Sequence, residues 1–356
     1  MPTWATNTHD TLMPIASLED LAKRLRVSRR TVSRVLTGGK NVAPAVRDRI
    51  EKYLARTDYV PNAQAARLAA RRVPVLGLVF PTNFLNTLDD YVVRIIKGAL
   101  RAAHASGHQV TLLAFDSLDV KQTLKLHRGR LVGEFVFTAF GPPDAKALRH
   151  LRSEGVPLAA VNFCAEGVDS YDCDNVRGGY LATKHLLDQG RRRIAFLHGS
   201  RWWVSSRDRH LGYTQAMSEA KIELPESFVV EANYDPVAAE KTTDKWLESP
   251  KGPDAIFAAN DIMMLASYRS LRRHNRRVPE DIALIGFDDS PVCSMPHLEV
   301  TFSSVYQPLE DISQAAAERV IALNENRGSP KPETRLFPPE LKVRESSGGV
   351  DPARWV

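Results

Sequence analysis

The stretch SLEDLAKRLRVSRRTVSRVL, residues 17–36, predicts two short helices joined by a tight turn. In its first half, apolar residues recur at the i, i+3, i+4 and i+7 positions of one helical face, after a serine placed as N-cap. A second N-cap candidate, Ser28, precedes a run in which Val32, Val35 and Leu36 form an apolar stripe. Arginines occupy the opposite face of that run. This spacing indicates a helix-turn-helix, whose second helix reads base edges in the DNA major groove.

The distribution of charge favours DNA as a partner of this module. Taken alone, a short amphipathic helix with arginines on its wet side is equally consistent with an ordinary solvated face. Residues 1–73, however, contain 14 Lys or Arg and 6 Asp or Glu, so their formal charge is +8. The whole 356-residue chain carries +6, so the rest of the chain has a formal charge of −2. The remaining residues are nearly neutral. Basic charge confined to one small module is typical of phosphate contact.

The module continues with a third helix and a hinge segment. Pro44 stands in the first turn of this third predicted helix, which closes a small three-helix core. Its buried stripe consists of Val46, Ile50, Tyr53 and Leu54. Residues 62–69 then form a short helical run with a single large apolar side chain, and residues 71–74 act as a linker.

From Val75 onward, strands alternate with helices. Val75–Phe80 is a continuous apolar run of the kind that is buried on both faces of a parallel sheet. The pattern restarts after Asp174, so two βα halves follow one another and predict doubly wound parallel sheets in two lobes, with a ligand cleft beyond the carboxyl ends of the strands. The predicted strands are 75–80, 109–115, 134–138, 158–162, 193–197, 227–231, 255–258 and 282–286, and the predicted helices are 92–106, 120–127, 144–153, 176–189, 212–220, 236–247 and 262–274.

Composition excludes several classes of protein. The chain is 43% hydrophobic and 25% charged, as in an ordinary globular protein of two or three domains. Its three cysteines, Cys164, Cys173 and Cys293, show no C-x-x-C or zinc-ligand spacing, so we expect reduced thiols and no metal. Neither a leader-like N-terminus nor an 18-residue apolar run occurs in the sequence. We therefore expect a cytoplasmic protein without membrane contact.

Motifs that agree in order along the chain point to one family. They are Val27-Ser28 with Thr31–Leu36, Tyr59–Asn62 through Leu68-Ala69, Asp174-Asn175, Arg209-x-x-Gly212-Tyr213, Ala259-Asn260-Asp261, Val278–Ile282, Gly286–Asp289 and Val343–Ser346. Together they resemble the LacI/GalR family of bacterial transcription regulators over about residues 15–347. The resemblance implies an all-α helix-turn-helix domain and a core of two periplasmic-binding-protein-like lobes joined by three crossovers. It also implies a homodimer, or a dimer of dimers, whose affinity for a pseudo-palindromic operator is controlled by a small-molecule effector.

The resemblance also implies domain boundaries. The C-terminal segment is short and lacks a leucine heptad, which favours a dimer over a tetramer. The expected parts are a disordered tail at 1–14, the helix-turn-helix domain at 15–58, a hinge helix and linker at 59–73, a core at 74–346 and a tail at 347–356. Within the core, lobe 1 spans about 74–175 and 305–334, and lobe 2 spans about 176–304 and 335–346.

The chain departs from the family pattern near Val132–Phe135, where an Asp-Gly pair is replaced, at Arg191, where a histidine is usual, and at two positions of the DNA-binding module. Arg26 stands in the turn where the family usually has glycine, so either its φ is strained or the turn differs. Ala43 replaces the usual serine cap of the third helix, which costs about 1 kcal/mol.

The resemblance assigns base choice to Arg29 and Arg30, with Arg34 one turn further on. An arginine that forms two hydrogen bonds to guanine discriminates by about 1–3 kcal/mol, so we expect guanines in both half-sites. A contact to phosphate alone is the alternative for Arg29, and Thr31 and Ser33 are expected to contact phosphates or to cap. The full set of implied DNA-contacting residues is Ser28, Arg29, Arg30, Thr31, Ser33, Arg34, Asn62, Ala65 and Leu68.

Leu68 is the one large apolar residue of the hinge run. A segment of seven or eight residues is too short for a stable isolated helix, so we expect it to order when two copies meet on DNA. There Leu68 would wedge into the minor groove and kink the operator centre.

In the cleft, a sugar or related metabolite is the effector that the resemblance implies. Arg209 offers forked donors, Asp288 accepts from hydroxyl groups, and Asn260 can do both. The alternative is that Arg209 and Asp288 form a salt bridge across a ligand-free cleft. The remaining candidates are Asn162, Ser205 and the aromatic residues Phe84, Trp203 and Tyr234, each of which could instead serve packing.

Three other classes of protein compete with this prediction. An enzyme that uses a nucleotide cofactor would need a phosphate loop, yet neither G-x-G-x-x-G nor G-x-x-x-x-G-K-[ST] occurs, and no nucleophile elbow is recognisable. A periplasmic sugar-binding protein would have a signal peptide and no basic module. A DNA-binding regulator that has lost its effector remains open as the alternative.

Overall fold

The computed structural model describes residues 18–36, 41–56, 73–82, 84, 90–223, 225–295, 299–326 and 331–349. These residues belong to two compact units that divide between Arg72 and Val73. The predicted N-terminal tail, the Ser17 cap, the hinge helix with Asn62, Ala65 and Leu68, and residues 350–356 lie outside the described residues.

The first unit contains the three predicted helices. They are α1 (Leu18–Leu25), α2 (Arg29–Leu36) and α3 (Pro44–Leu54). Their shared core is made by the apolar stripes read from the sequence, namely Leu21, Ala22, Leu25, Val32, Val35 and Ile50. Because each helix is short, packing of these stripes supplies most of its stability.

The turn between α1 and α2 adopts the strained alternative at Arg26. Its φ is +49°, in the left-handed region that favours glycine. The Val27 amide nevertheless donates to the Ala22 carbonyl at 3.0 Å, which closes the end of α1 as a left-handed C-cap does. At α3, Ala43 occupies the N-cap position and provides no side-chain hydrogen bond.

The second unit contains two six-stranded sheets, one in each lobe. The order in lobe 1 is β11-β5-β4-β3-β1-β2, and the order in lobe 2 is β12-β10-β9-β8-β6-β7. The lobe 1 strands are β1 (Val75–Pro81), β2 (Gln109–Phe115), β3 (Glu134–Thr138), β4 (Leu158–Val161), β5 (Asp169–Cys173) and β11 (Thr334–Phe337). The lobe 2 strands are β6 (Ile194–His198), β7 (Val229–Glu231), β8 (Ala255–Ala258), β9 (Ala283–Asp288), β10 (Ser303–Tyr306) and β12 (Glu340–Lys342). All the pairings are parallel except β10 with β12.

Helices cover both faces of each sheet. They are α4 (Asp90–Ala105), α5 (Val120–Arg128), α6 (Ala145–Ser153), α7 (Asn175–Asp188), α8 (Val204–Glu219), α9 (Pro236–Leu247), α10 (Asp261–Arg273) and α11 (Leu309–Asn326). The chain passes between the sheets after β5, β10 and β11. These three crossovers place the carboxyl ends of the strands of both lobes around one cleft. Across the described residues, no helix is both long and apolar enough to cross a membrane.

The close approach of α4 to α11 depends on Gly98. A Cβ atom at this position would lie 2.1 Å from the Glu310 carbonyl oxygen. The helix that brings the chain back to lobe 1 therefore packs directly against the backbone of α4.

Two sequence predictions in the core were wrong, and β5, β10, β11, β12 and α11 were not among the predicted elements. The helix predicted at 212–220 begins earlier, at Val204. The prediction missed its first turns because the buried face there carries polar residues such as Ser206 and Arg209, which hide the amphipathic period. The predicted strand 227–231 is a 3₁₀ turn at Glu226–Phe228 followed by the short β7. Strand β5 was missed altogether because its sequence, DSYDC, contains two acidic residues in a fully buried strand.

A buried carboxyl in lobe 1 makes stability depend on pH. The Glu134 side chain is fully buried, its Oε2 accepts from Asn324 Nδ2 at 2.6 Å, and its Oε1 lies 3.6 Å from His108 Nε2. Burial raises the pKa of Glu134 from 4.5 to about 8, and the Asn324 hydrogen bond only partly offsets this. Since the folded pKa exceeds the unfolded one, the stabilising contribution is complete below about pH 4.5 and is lost as the pH rises through 8.

We expect the free energy of unfolding to fall by about 3 kcal/mol more between pH 5.5 and 8.5 in the wild type than in Glu134→Gln. Urea unfolding at the two pH values measures this difference. Glu166→Gln, which changes an exposed carboxyl, is the control and should keep the wild-type dependence. An unchanged dependence in Glu134→Gln would contradict the assignment.

Candidate functional site

The N-terminal turn of α2 presents arginines to solvent. Arg29, Arg30 and Arg34 are exposed, while Val32 and Val35 on the opposite face are buried. In the described part of the chain, Arg29 and Arg30 make no hydrogen bond or ion pair. Their guanidinium groups are therefore available to base edges or phosphates, and they lie at the positive end of the helix dipole.

Ser28 and Thr31 hold the start of this helix. The Ser28 Oγ accepts from the Thr31 amide at 3.0 Å and lies 2.7 Å from the Thr31 Oγ1. This arrangement is the capping role that was the alternative to phosphate contact for Thr31. Ser33, half-buried on α2, has interactions within the protein. The surface that remains for reading DNA is thus dominated by arginine.

In the second unit, Arg209 is buried at the cleft end of α8. Its Nε donates to Asn175 Oδ1 at 2.9 Å, its Nη1 donates to the Ala259 carbonyl, and its guanidinium carbon stacks 3.6 Å from the centre of the Phe287 ring. Nη2 has no hydrogen-bond partner among the described residues. The side chain is thus fixed by three contacts and retains one donor nitrogen for a ligand.

Asp288 ends β9 beside this guanidinium without forming an ion pair with it, as far as the described residues show. Its Oδ1 accepts instead from Gln307 Nε2, and its Oδ2 has no partner in the described part of the chain. The salt bridge across the cleft is therefore not the arrangement found here. Asp288 keeps an acceptor oxygen for a ligand hydroxyl.

Carboxyl groups around Arg209 have raised pKa values. Burial raises the pKa of Asp288 to about 7, and the neighbouring Asp261 carboxyl adds to the effect while Arg209 opposes it. Burial likewise raises the pKa of Asp172, on β5 of lobe 1, to about 7. Burial also raises the pKa of Asp208. One arginine therefore faces several carboxyl groups that are costly to ionise.

The lobe 1 wall of the cleft is aromatic and carries Asn162. Asn162 has φ +56°, its Nδ2 donates to the Tyr91 hydroxyl at 2.9 Å, and its buried Oδ1 has no hydrogen-bond partner among the described residues. Phe84 lies 5.8 Å from the Tyr91 ring and 6.2 Å from the ring of Trp203 in lobe 2. Apolar ring faces beside an unsatisfied amide oxygen suit a sugar, which has both apolar faces and hydroxyl donors.

The other predicted cleft residues occupy more structural positions. The Asn260 Oδ1 caps α10 by accepting from the Met263 amide at 2.9 Å. Ser205 is half-buried in the first turn of α8. The Tyr234 ring packs on Gly199, where a Cβ atom would lie 2.1 Å from Cε2. The structure thus places Arg209 beside Asp288. It also connects Trp203 and Phe84 to Asn162, because Phe84 lies near Trp203 and Tyr91, and Tyr91 binds Asn162.

Sequence reasoning assigned no role to the residues that hold these groups, although Asn175 belonged to a quoted motif. Asn175, Gln307, Tyr91 and Arg94 contact Arg209, Asp288 or Asn162 through side chain or backbone. One signal was available for Arg94, since an arginine stood in a helical stripe that otherwise reads as core. Gln307 offered none, because it follows a short strand that the pattern did not reveal.

Comparison with known proteins matches both units. Residues 17–62 match the model of bacterial regulatory proteins of the lacI family, and residues 183–347 match that of the periplasmic binding protein-like domain. The HTH-type transcriptional regulator CelR of Thermobifida fusca is 32% identical over 346 residues, covering 93% of this chain and 98% of the regulator. The HTH-type transcriptional regulator DegA of Bacillus subtilis is 29% identical over 342 residues, covering 94% and 99%.

Solved structures agree with these matches. A structure of a CelR–cellobiose complex superposes with a TM-score of 0.69 at 30% identity and covers 93% of this chain and 100% of its own. The lac repressor dimer bound to operator superposes with a TM-score of 0.81 over 94% of this chain and 99% of its own, and at 22% identity it shows the fold alone. With the helix-turn-helix, the two-lobed core and full-length relatives in agreement, this chain belongs to the LacI family of transcriptional regulators.

Proposed function

We propose that this protein is a repressor that binds a pseudo-palindromic operator as a homodimer and is controlled by a neutral sugar in the cleft between its lobes. The observation that carries the proposal is that Arg29 and Arg30 are exposed on the first turn of α2 and bind no other described residue. In the core of the same chain, Arg209 and Asp288 each keep a polar atom available for a ligand. A protein that acts on DNA would work in the cytoplasm.

Exposed apolar side chains support a dimer. Val93 and Leu100, one heptad apart on α4, are 37% and 47% exposed, and Leu112 on the edge strand β2 is 45% exposed. In lobe 2, Ile262 and Met295 are similarly exposed. Large apolar side chains grouped on a helix face and an adjacent sheet edge mark an interaction surface, and a two-fold partner would cover them. Two copies would present two α2 helices to the two half-sites of an operator.

Charge and ring surfaces favour a neutral effector. An anionic ligand such as a sugar phosphate would add negative charge beside Asp172, Asp208 and Asp288, whose pKa values burial already raises. A neutral polyol would instead use Asp288 Oδ2 and Asn162 Oδ1 as acceptors and Arg209 Nη2 as a donor. Phe84 and Trp203 would stack on its apolar faces. The relative CelR has been solved as a complex with cellobiose, which makes a disaccharide the first ligand to try.

Effector control would act through a change in the relative orientation of the lobes. A sugar that contacts residues of both lobes favours the orientation in which those contacts are made, and this population shift changes the spacing of the two hinge segments. The resulting change in operator affinity is typically about 5- to 150-fold. At the operator centre, the proposed wedge is Leu68 from each copy.

The test combines operator selection with a sugar panel. Full-length protein should select, from random DNA, a two-fold symmetric sequence with guanines in each half-site. Calorimetry with cellobiose, maltose, ribose and glucose 6-phosphate should then show binding of at least one neutral sugar and none of the phosphate. Selection of a symmetric operator without binding of any sugar would favour an effector-independent regulator. Failure to select DNA would overturn the proposal.

A further inference from the structure

Arg94 is a buried charge that links lobe 1 to lobe 2. It lies on α4 with 7% of its surface exposed. Its Nη1 donates to the Asp288 carbonyl at 2.8 Å, and its Nη2 donates to the Gln307 carbonyl. Its guanidinium carbon lies 5.0 Å from the centre of the Tyr306 ring. Asp288 ends β9, Tyr306 ends β10, and Gln307 begins the crossover that follows β10, so a lobe 1 helix is attached to the ends of two strands of the lobe 2 sheet. Within α4 itself, Nη1 of Arg94 also lies 3.7 Å from a carboxylate oxygen of Asp90.

The backbone that Arg94 holds is strained. Asp288 has φ +111° and Asp289 has φ +50°, both in regions that non-glycine residues seldom adopt. Such conformations cost about 1–3 kcal/mol each and persist only when surrounding contacts hold them. Arg94 holds the Asp288 carbonyl while Gln307 holds its carboxylate, so the position of the effector-facing oxygen depends on both contacts.

The same helix reaches the other wall of the cleft and the proposed partner surface. Tyr91, one turn before Arg94, accepts a hydrogen bond from Asn162 at 2.9 Å. Val93 and Leu100 of α4 belong to the exposed apolar surface. A single rigid helix therefore touches a candidate effector residue of each lobe and carries side chains toward a second copy.

We propose that Arg94 is a positioning residue that links two events. Binding of the effector to Asp288 changes the position of α4, and α4 in turn changes the distance between the two copies of the dimer. This inference rests on the proposed function. The guanidinium has five N–H donors in a fixed planar fork, so it cannot follow two carbonyls that move apart. When the lobes rotate, its two bonds must be kept or lost together, which makes α4 respond to lobe orientation in an all-or-none manner.

The first test uses full-length wild type, Arg94→Gln, Arg94→Lys and the control Arg101→Gln. Arg101 lies on the same helix, is half exposed and pairs with Glu310. With cellobiose as the probe, calorimetry gives its Kd and fluorescence anisotropy gives operator Kd with and without it. Each variant is saturated with cellobiose according to its own Kd. Under these conditions we expect the cellobiose-induced change in operator Kd, typically about 5- to 150-fold, to fall below about 3-fold in Arg94→Gln. Arg94→Lys should be intermediate and Arg101→Gln should match wild type.

A merely structural role would lower the melting temperature of Arg94→Gln and leave that operator ratio intact, and this result would overturn the proposal. A second measurement does not depend on the ligand. Spin labels at Lys146 and Lys241, which lie in α6 of lobe 1 and α9 of lobe 2, report the distance between lobes. Arg94→Gln should broaden or shift that distance distribution without ligand, and an unchanged distribution contradicts the coupling. If wild type ignores cellobiose, the proposed effector fails and the spin-label distances alone decide on Arg94.

Discussion

Replacing Arg209 by glutamine is expected to weaken binding of the neutral sugar by about 100-fold, which corresponds to roughly 3 kcal/mol. The guanidinium is fixed by Asn175, the Ala259 carbonyl and the Phe287 ring, so its remaining nitrogen meets the ligand without a loss of side-chain entropy. Glutamine is too short to replace these contacts. Calorimetry with the sugar that binds most tightly to wild type measures the loss.

Arg209→Gln also leaves the Asn175 and Ala259 oxygens without their donor, which costs about 1–3 kcal/mol of stability for each unsatisfied group. The melting temperature is therefore measured alongside, and sugar-free operator binding checks that the protein is folded. Arg207→Gln removes an exposed arginine from the same helix and should behave as wild type. If Arg209→Gln binds operator but keeps the wild-type sugar affinity, Arg209 is a structural residue and not a ligand contact.

The contrast between α8 and α9 shows where sequence patterns suffice. Helix α9 begins and ends as predicted because Asp235 caps it, with its carboxylate accepting from the Val237 amide, and Pro236 starts it. The first turns of α8 were not predicted, because its buried residues include Ser206 and Arg209, which a hydrophobic period assigns to solvent. Polar residues buried for function thus obscure the very element that carries them.

Strand β5 failed for a related reason. Its first residue, Asp169, is fully buried but pairs with Arg152 at 2.5 Å and with Arg319 at 2.9 Å. Those partners lie 17 and 150 residues away, so only the folded chain reveals that this carboxylate is neutralised. Likewise, the motif located Arg209 in the sequence, but the hydrogen bonds that leave one of its nitrogens available depend on Asn175 and on a backbone carbonyl, whose placement no spacing rule gives.

At the other end of the molecule, Arg30→Ala is expected to abolish the guanine preference at one position of each half-site. It should weaken binding to the preferred operator by about 10- to 100-fold per half-site, because an arginine that forms two hydrogen bonds to guanine discriminates by about 1–3 kcal/mol. Arg30 is exposed on the first turn of α2 and makes no ion pair with the described residues, so the substitution leaves no buried group unsatisfied. Selection from random DNA with wild type and variant measures the change directly.

Two further variants separate base reading from charge. Arg24→Ala removes an exposed arginine from α1, so it changes the net charge equally but should keep the selected sequence. Arg29→Ala distinguishes a phosphate contact of Arg29 from a base contact. Loss of a phosphate contact weakens binding to all sequences alike and lowers the salt dependence by about one counterion. Loss of a base contact changes the preferred sequence. If Arg30→Ala selects the wild-type operator and only its salt dependence falls, then α2 grips DNA through Arg30 but reads it elsewhere. Because Ser28 and Thr31 are engaged in capping α2, base reading would then fall to Arg29 or Arg34.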